Sequence, residues 1–257
     1  CHKIKAPQYA YDDILRWAQD SQARGYSFSS DAPLYRTFIS DLKKRLNVED
    51  YTHKTSTVEA AGGGTVSFPV FDFQTMFLSL IDDPWIKGHL LVNWDEPSSP
   101  PPFDPLYLDE IHSGDWYKET REQMIRIGSN DILCGIVLAI DRTHVADKDK
   151  LSLEPVLFSL SIIPRSLRNH PFSWRPLGFI PKLPLSKAMG NNARTYHYIL
   201  GSILSGLVHA QKNGGIECGV MDQVDEYGMD RRFCFKVPLA FVIGDVEGHD
   251  VLCGRYH

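Results

Sequence analysis

The sequence predicts an α/β (α+β) chain whose second half builds a mixed sheet: an antiparallel three-strand meander, a crossover helix, and a fourth strand lying parallel to the first. Three observations predict it. The runs "DILCGIVLAID" and "LEPVLFSLSII" are apolar stretches rich in Ile, Val and Leu, the composition of strands buried on both faces, and "WRPLGFIP" follows as a shorter third. Next, "ARTYHYILGSILSGLVHAQKNGG" switches to helical spacing, with Tyr196, Ile199, Leu200, Ile203, Leu204, Leu207 and Val208 on one face and a Gly pair as its stop. Then "FCFKVPLAFVIGDVEGHD" returns to strand character and supplies the fourth strand.

The first half has a helical rhythm. "YDDILRWAQDSQARG" sets Ile14, Leu15 and Ala18 on one face, with Asp12 as N-cap and Gly25 beyond the end. "SDAPLYRTFISDLKKRLN" repeats the pattern with Leu34, Phe38, Leu42 and Leu46. The Gly run in "AAGGGTVSFPVFDF" lacks the following Lys-Ser/Thr of a phosphate-cradling loop, so it predicts a flexible turn before a short strand. A third helix is expected over Asp72 to Ile81. Three consecutive prolines in "DEPSSPPPFDP" mark a linker near residues 96–105. The expected organisation is therefore a mainly helical accessory region over 1–128 and a sheet-based core over 129–257.

Composition narrows the function classes. With 257 residues and 43% hydrophobic content, the chain can bury a substantial core. No apolar run approaches the roughly 20 residues of a membrane span, and the N-terminal stretch has no signal-peptide h-region, which predicts an intracellular protein with no membrane partner. The five cysteines (Cys1, Cys134, Cys218, Cys234, Cys253) are odd in number and lack CxxC spacing, so they read as reduced thiols. A net charge of -5 argues against generic nucleic-acid binding, but the charge is divided unevenly. Residues 1–149 carry 15 Lys and Arg against 23 Asp and Glu, a net of -8, whereas residues 150–257 carry 12 against 9, a net of +3. A polyanion meets the second half more favourably. The chain opens on Cys1 and stops at "LCGRYH" directly after a strand, so it is expected to be a piece of a longer protein.

Two carboxylates stand where the neighbouring apolar runs stop, Asp141 in "VLAID" and Asp245 in "FVIGD". Parallel neighbours end at the same edge of a sheet, which sets the two acids side by side. Adjacent carboxylates repel, and a site that keeps both ionised needs cations. Hard oxygen donors suit Mg²⁺ or Mn²⁺, and a pair of such ions is the apparatus for cutting and joining phosphodiesters. This strand order with its two acids matches the ribonuclease-H-like fold shared by ribonuclease H, retroviral integrases and DDE/D transposases. For either Asp alone, a turn former or helix cap is the competing reading.

A closer likeness lies in "APQYAYDDILRWA", "EIHSGDWYKET", "LCGIVLAIDRTHV", "LEPVLFSLSIIPRSLRN", "RPLGFIP" and "VIGDVEGHDVLCGRY". In this order they resemble successive blocks of the Plavaka-type transposases, a eukaryotic group related to the CACTA (En/Spm) DNA transposons. The most specific elements are Asp141-x-Thr143, the Pro-Arg-Ser-Leu-Arg hairpin, and Gly-Asp followed by Leu-Cys-Gly. The resemblance implies a DDE transposase in which Asp141 and Asp245 are the first and second catalytic acids, with two divalent ions, DNA ends and target DNA as partners, a nuclear location and a homo-oligomer in the full-length protein. Such enzymes place a third acid, usually Glu, on a helix well beyond the second strand. Glu247 and Asp250 belong to the same strand-end loop as Asp245 and are not promoted to that role, so the triad is read as incomplete and the fragment is expected to be inactive. Two rivals stand beside this reading: a domesticated or decayed copy that only binds DNA or protein, and a metal-dependent nuclease without strand transfer.

Supporting groups have two readings each. His144 is either a turn residue or a group that orients a phosphate or metal-bound water. His249, Cys253 and His257, at fourfold spacing, are candidate Zn²⁺ ligands that lack a closing partner. "PRSLRNHPFSWRP" groups Arg165, Arg168 and Arg175 with His170 and Trp174, either as a solvated hairpin tip or as a DNA contact in which arginines hold phosphates and Trp stacks on a base. Arg231, Arg232 and Lys236 are candidates to extend that patch.

Overall fold

The computed structural model describes residues 53–102, 110–140, 143–144, 152–183, 191–224 and 230–244. The chain divides between Glu49 and Asp50, and every described residue belongs to the second unit. Two sheets form. Strands β1 (Lys54–Glu59), β2 (Thr65–Val70), β4 (Ile136–Ile140), β5 (Thr143–His144), β6 (Ser152–Leu160), β7 (Arg175–Pro181) and β10 (Leu239–Ile243) make a mixed sheet of order β1-β2-β7-β6-β4-β10, with β5 paired to β6. Strands β3 (Asp131–Leu133), β8 (Ile216–Val224) and β9 (Asp230–Lys236) make a second sheet of order β3-β9-β8. Among the described residues no helix is long and apolar enough to cross a membrane.

The expected meander is present. Strand β4 pairs antiparallel with β6 from Ile136↔Leu160 to Ile140↔Val156, and β6 pairs antiparallel with β7 from Leu153↔Pro181 to Phe158↔Arg175. Two helices follow, α4 (Asn191–Ile203) and α5 (Ser205–Lys212), after the earlier α1 (Phe73–Ile81), α2 (Asp115–Met124) and α3 (Arg165–Arg168). The chain then reaches β10, which lies parallel to β4 with Ile243 opposite Ala139. Strand β4 is apolar throughout because neighbours and core close on it: Ile136, Val137, Leu138 and Ile140 are all buried. The single helix expected over 193–215 is interrupted at Leu204, and a left-handed pair, Gly214 and Gly215, ends it as the sequence suggests. Val208, placed on the apolar face by spacing, is 42% exposed because it lies past that interruption.

Two expected strands are each two strands. "DILCGIVLAID" breaks at Cys134–Gly135 into β3 and β4, and "FCFKVPLAFVI" breaks at Val237–Pro238 into β9 and β10. The breaks lie side by side: Cys134 N–H donates to the Lys236 carbonyl at 2.8 Å and Ile136 N–H to the Pro238 carbonyl at 2.7 Å. Gly135 admits the Trp116 indole, since a Cβ there would lie 2.6 Å from Trp116 and 3.0 Å from the Ala240 Cβ. Pro238 has no N–H to donate, so the ladder cannot run through it unbroken.

The boundary expected at 128/129 does not separate the described residues. Strand β2 joins β7 through Val70↔Gly178, and β1, which the apolar pattern missed, extends the same sheet. Helix α1 begins after Asp72, whose Oδ1 accepts the Thr75 N–H at 2.8 Å, and fulfils the helix expected there. Its face of Phe73, Met76, Phe77, Leu80 and Ile81 is buried in one cluster with Phe158 and Phe235, with ring centroids 5.3 Å apart for Phe73–Phe158 and 5.5 Å for Phe77–Phe235. The proline-rich stretch is a docked strap where it is described. Pro97, Ser98 and Pro101 are buried, Arg121 Nε donates to the Ser98 carbonyl at 2.9 Å, and Gly128 N–H donates to Ser98 Oγ at 3.0 Å. The helices expected over 1–52 lie outside the described residues.

Candidate functional site

Parallel pairing of β4 and β10 sends both chains out at one edge of the large sheet. Asp141 follows Ile140 directly, and Asp245 stands two residues after Ile243. Both acids lie outside the described residues, as do Glu247, Asp250 and the three candidate zinc ligands His249, Cys253 and His257. Four other segments meet the same edge. Strand β5 pairs His144 with Ser152 and Thr143 with Leu153, which brings the His144 backbone there. Strand β7 ends there at Pro181 opposite Leu153. The first turn of α4 and the β1–β2 turn join it through Thr195, whose hydroxyl accepts the Ala61 N–H at 3.0 Å and donates to the Asn191 carbonyl at 2.8 Å.

A pair that the sequence reading missed also lies at this rim. Glu154 on β6 is buried, and the Tyr196 hydroxyl on α4 donates to its Oε1 at 2.5 Å. The signal was available in the alternation: Glu154 shares parity with the buried Val156, Phe158 and Leu160, so a carboxylate occupies an inward position of an apolar strand.

The arginine hairpin is elsewhere. Strand β6 runs away from the rim for nine residues, and at 3.3 Å per residue its far end is about 25–30 Å away. The 161–174 connection therefore sits at the opposite edge of the sheet from the ends of β4 and β10. Of the five residues grouped on this hairpin, Arg168, Arg175 and Trp174 are engaged internally. The Arg168 guanidinium pairs with Glu110 Oε2 at 3.1 Å and donates to the Ser161 and Ile163 carbonyls, with 14% of its side chain exposed. Burial lowers its pKa from the ordinary value, opposed by the Glu110 carboxylate. Arg175 pairs with Asp83 at 2.8 Å and donates to Ser79 Oγ, the Ser79 carbonyl and the Phe172 carbonyl. The Trp174 indole N–H donates to the Arg168 carbonyl at 2.8 Å. Arg165 is exposed, and its backbone N–H donates to Glu110 Oε1 at 2.6 Å.

The second basic group divides in the same way. Arg231 donates to the Trp94 carbonyl and Asn130 Oδ1 and lies 5.2 Å from the Phe233 ring centroid, and Lys236 reaches the Gly214 carbonyl at 2.7 Å and Asp131 at 3.5 Å. Arg232 alone of the three is exposed. Cys134, Cys218 and Cys234 are free thiols; burial pushes Cys134 well above its ordinary value and Cys218 up to about 11, so both stay protonated at neutral pH and pack as small apolar groups. Among the described residues no group of three or more His, Cys, Asp or Glu is placed to hold a metal ion.

Residues 80–253 match a family model described as Plavaka transposase. Neither a curated protein nor a solved structure matches the chain.

Proposed function

We propose, from the premise that the chain belongs to the Plavaka transposase family, that it carries part of a ribonuclease-H-like DDE catalytic core with Asp141 and Asp245 as two of its acids. One observation supports this most: β4 and β10 are parallel neighbours, with Ile243 opposite Ala139, and an Asp follows the end of each. The order of antiparallel meander, helices and parallel strand is the arrangement that fold requires.

The donor set fits hard divalent cations. Two carboxylates offer oxygen ligands, which suit Mg²⁺ or Mn²⁺ and not the softer Zn²⁺ sites built from Cys and His. When bound, two such ions activate the attacking oxygen and stabilise the leaving one. Asp141 and Asp245 would hold the ions, whose charge would offset the mutual repulsion of the two carboxylates. In the first step a water oxygen attacks the phosphorus, a P–O bond breaks, and a DNA 3′-hydroxyl is freed. In the second, that hydroxyl attacks a target phosphodiester, forming one P–O bond and releasing another 3′-hydroxyl. No covalent enzyme intermediate is needed. His144, whose backbone pairs with β6 at the same edge, would be the group that orients a phosphate or a metal-bound water. DNA is the partner and the nucleus the place of action. Neither Glu247 nor Asp250 is assigned the third acidic role.

The test is Mn²⁺ titration of the chain and of Asp141→Asn and Asp245→Asn, followed by the paramagnetic resonance of free Mn²⁺. Each substitution is expected to weaken binding at least tenfold, and equal affinity in all three proteins overturns the assignment.

A further inference from the structure

At the sheet edge opposite the rim, Arg175 fastens two loops together. One guanidinium nitrogen pairs with Asp83 at 2.8 Å and another donates to the Phe172 carbonyl at 2.6 Å. Trp85 is held on the same anchor, its backbone N–H donating to Asp83 Oδ1 at 2.9 Å. Three aromatic rings are thereby displayed to water on a fixed base. Trp85 is 74% exposed, Phe172 is 36% exposed, and the exposed His170 ring stacks on Phe172 with centroids 5.1 Å apart and planes 6° from parallel. None of the three belongs to the main hydrophobic cluster.

The hairpin that carries two of these rings has no carboxylate of its own. Residues 164–176, "PRSLRNHPFSWRP", contain three Arg and one His and no Asp or Glu. Of the carboxylates nearby, Asp83 and Glu110 are offset by Arg175 and Arg168, which leaves Asp82 as the exposed acid beside Trp85. Arg165 supplies an exposed guanidinium on the hairpin. Flat π faces on anchored loops, with a cation on the same hairpin, are what unpaired bases with their phosphates require: the rings stack on the bases and the cation meets the backbone. A duplex hides its base faces and cannot use the rings in this way.

We propose that Trp85, Phe172 and His170 form a stacking surface for unpaired nucleobases of single-stranded nucleic acid, with Arg165 pairing a backbone phosphate. The surface is separate from the two-acid rim, and testing it in EDTA keeps its failure distinct from failure of the metal-site reading. Fluorescence anisotropy of a labelled oligothymidylate of about 20 nucleotides, titrated with the whole chain, reads single-strand binding, and a duplex of the same length is the comparison. Trp85→Ala and Phe172→Ala are each expected to weaken single-strand binding roughly 5- to 150-fold with little effect on the duplex, while Trp85→Phe keeps most of it. Arg165→Gln is expected to lower the salt slope by about 0.7. Circular dichroism checks that these exposed substitutions leave the fold intact, and His170→Ala provides an independent variant should one of them not. Absence of single-strand binding at low salt, unchanged affinity in the Trp85→Ala, Phe172→Ala double variant, or an equal loss for duplex overturns the proposal. So does self-association that disappears in Trp85→Ala, which would make the rings a protein contact.

Discussion

Glu110 and Arg168 show how one residue decides what a basic motif does. The pair is about 15% exposed on each side, and the same carboxylate also accepts the Arg165 N–H. Removing Glu110 leaves a guanidinium largely desolvated, so Glu110→Ala is expected to cost about 2–3 kcal/mol, somewhat below a fully dry pair, in urea unfolding. Gly135→Ala acts by crowding: a Cβ 2.6 Å from Trp116 forces the indole to move, for a cost of about 1–3 kcal/mol by the same measurement. The thiol of Cys218 gives a pH dependence. Burial raises its folded pKa to about 11 from 9.0, so the folded state holds the proton where the unfolded state has released it. That contribution is fully present below pH 9 and is lost as pH rises toward 11, and Tyr117, pushed up to about 12 by burial, extends the loss from pH 10 upward. Alkaline unfolding of Cys218→Ala should therefore show a shallower decline between pH 9 and 11 than the parent chain.

At the scale of elements, helix α1 depends on its cap. Asp72→Ala removes the acceptor for the Thr75 N–H and is expected to cost about 1 kcal/mol, which Asp72→Asn largely restores, as read by thermal melting. That helix was legible because cap, apolar face and length agree within ten residues. The strands β4, β6 and β7 were legible for a similar reason, since continuous apolar composition reports burial whatever the partner. Strand β1, "KTSTVE", was not: it is an edge strand with one outer side, and its burial pattern is weak. Pro238 stands in the run as a local signal that a ladder cannot continue, whereas the break at Gly135 was not legible as a break, because it is set by the Trp116 ring from another element. The internal pairing of Arg168 and Arg175 was not legible for the same physical reason. Their partners lie 58 positions away for Arg168 and 92 for Arg175, and no local pattern encodes them. Of the rim, the shared direction of the two strand ends was legible from the order of elements, whereas Glu154 and Tyr196 needed the packing of α4 to be seen.

For the whole molecule, the large sheet and α1 share a core that spans the expected domain boundary. A piece beginning at residue 129 loses the buried face of α1 and the β1–β2 hairpin, and it is expected to lack a cooperative melt and to resist trypsin poorly, whereas a piece spanning 50–257 keeps both properties. The two breaks carry a different consequence. Main-chain bonds from Cys134 to Lys236 and from Ile136 to Pro238 splice the small sheet to the large one, so fraying of Asp230–Lys236 unzips Leu239–Ile243 next. Amide exchange should find the two segments opening together, with protection factors that rise and fall as one.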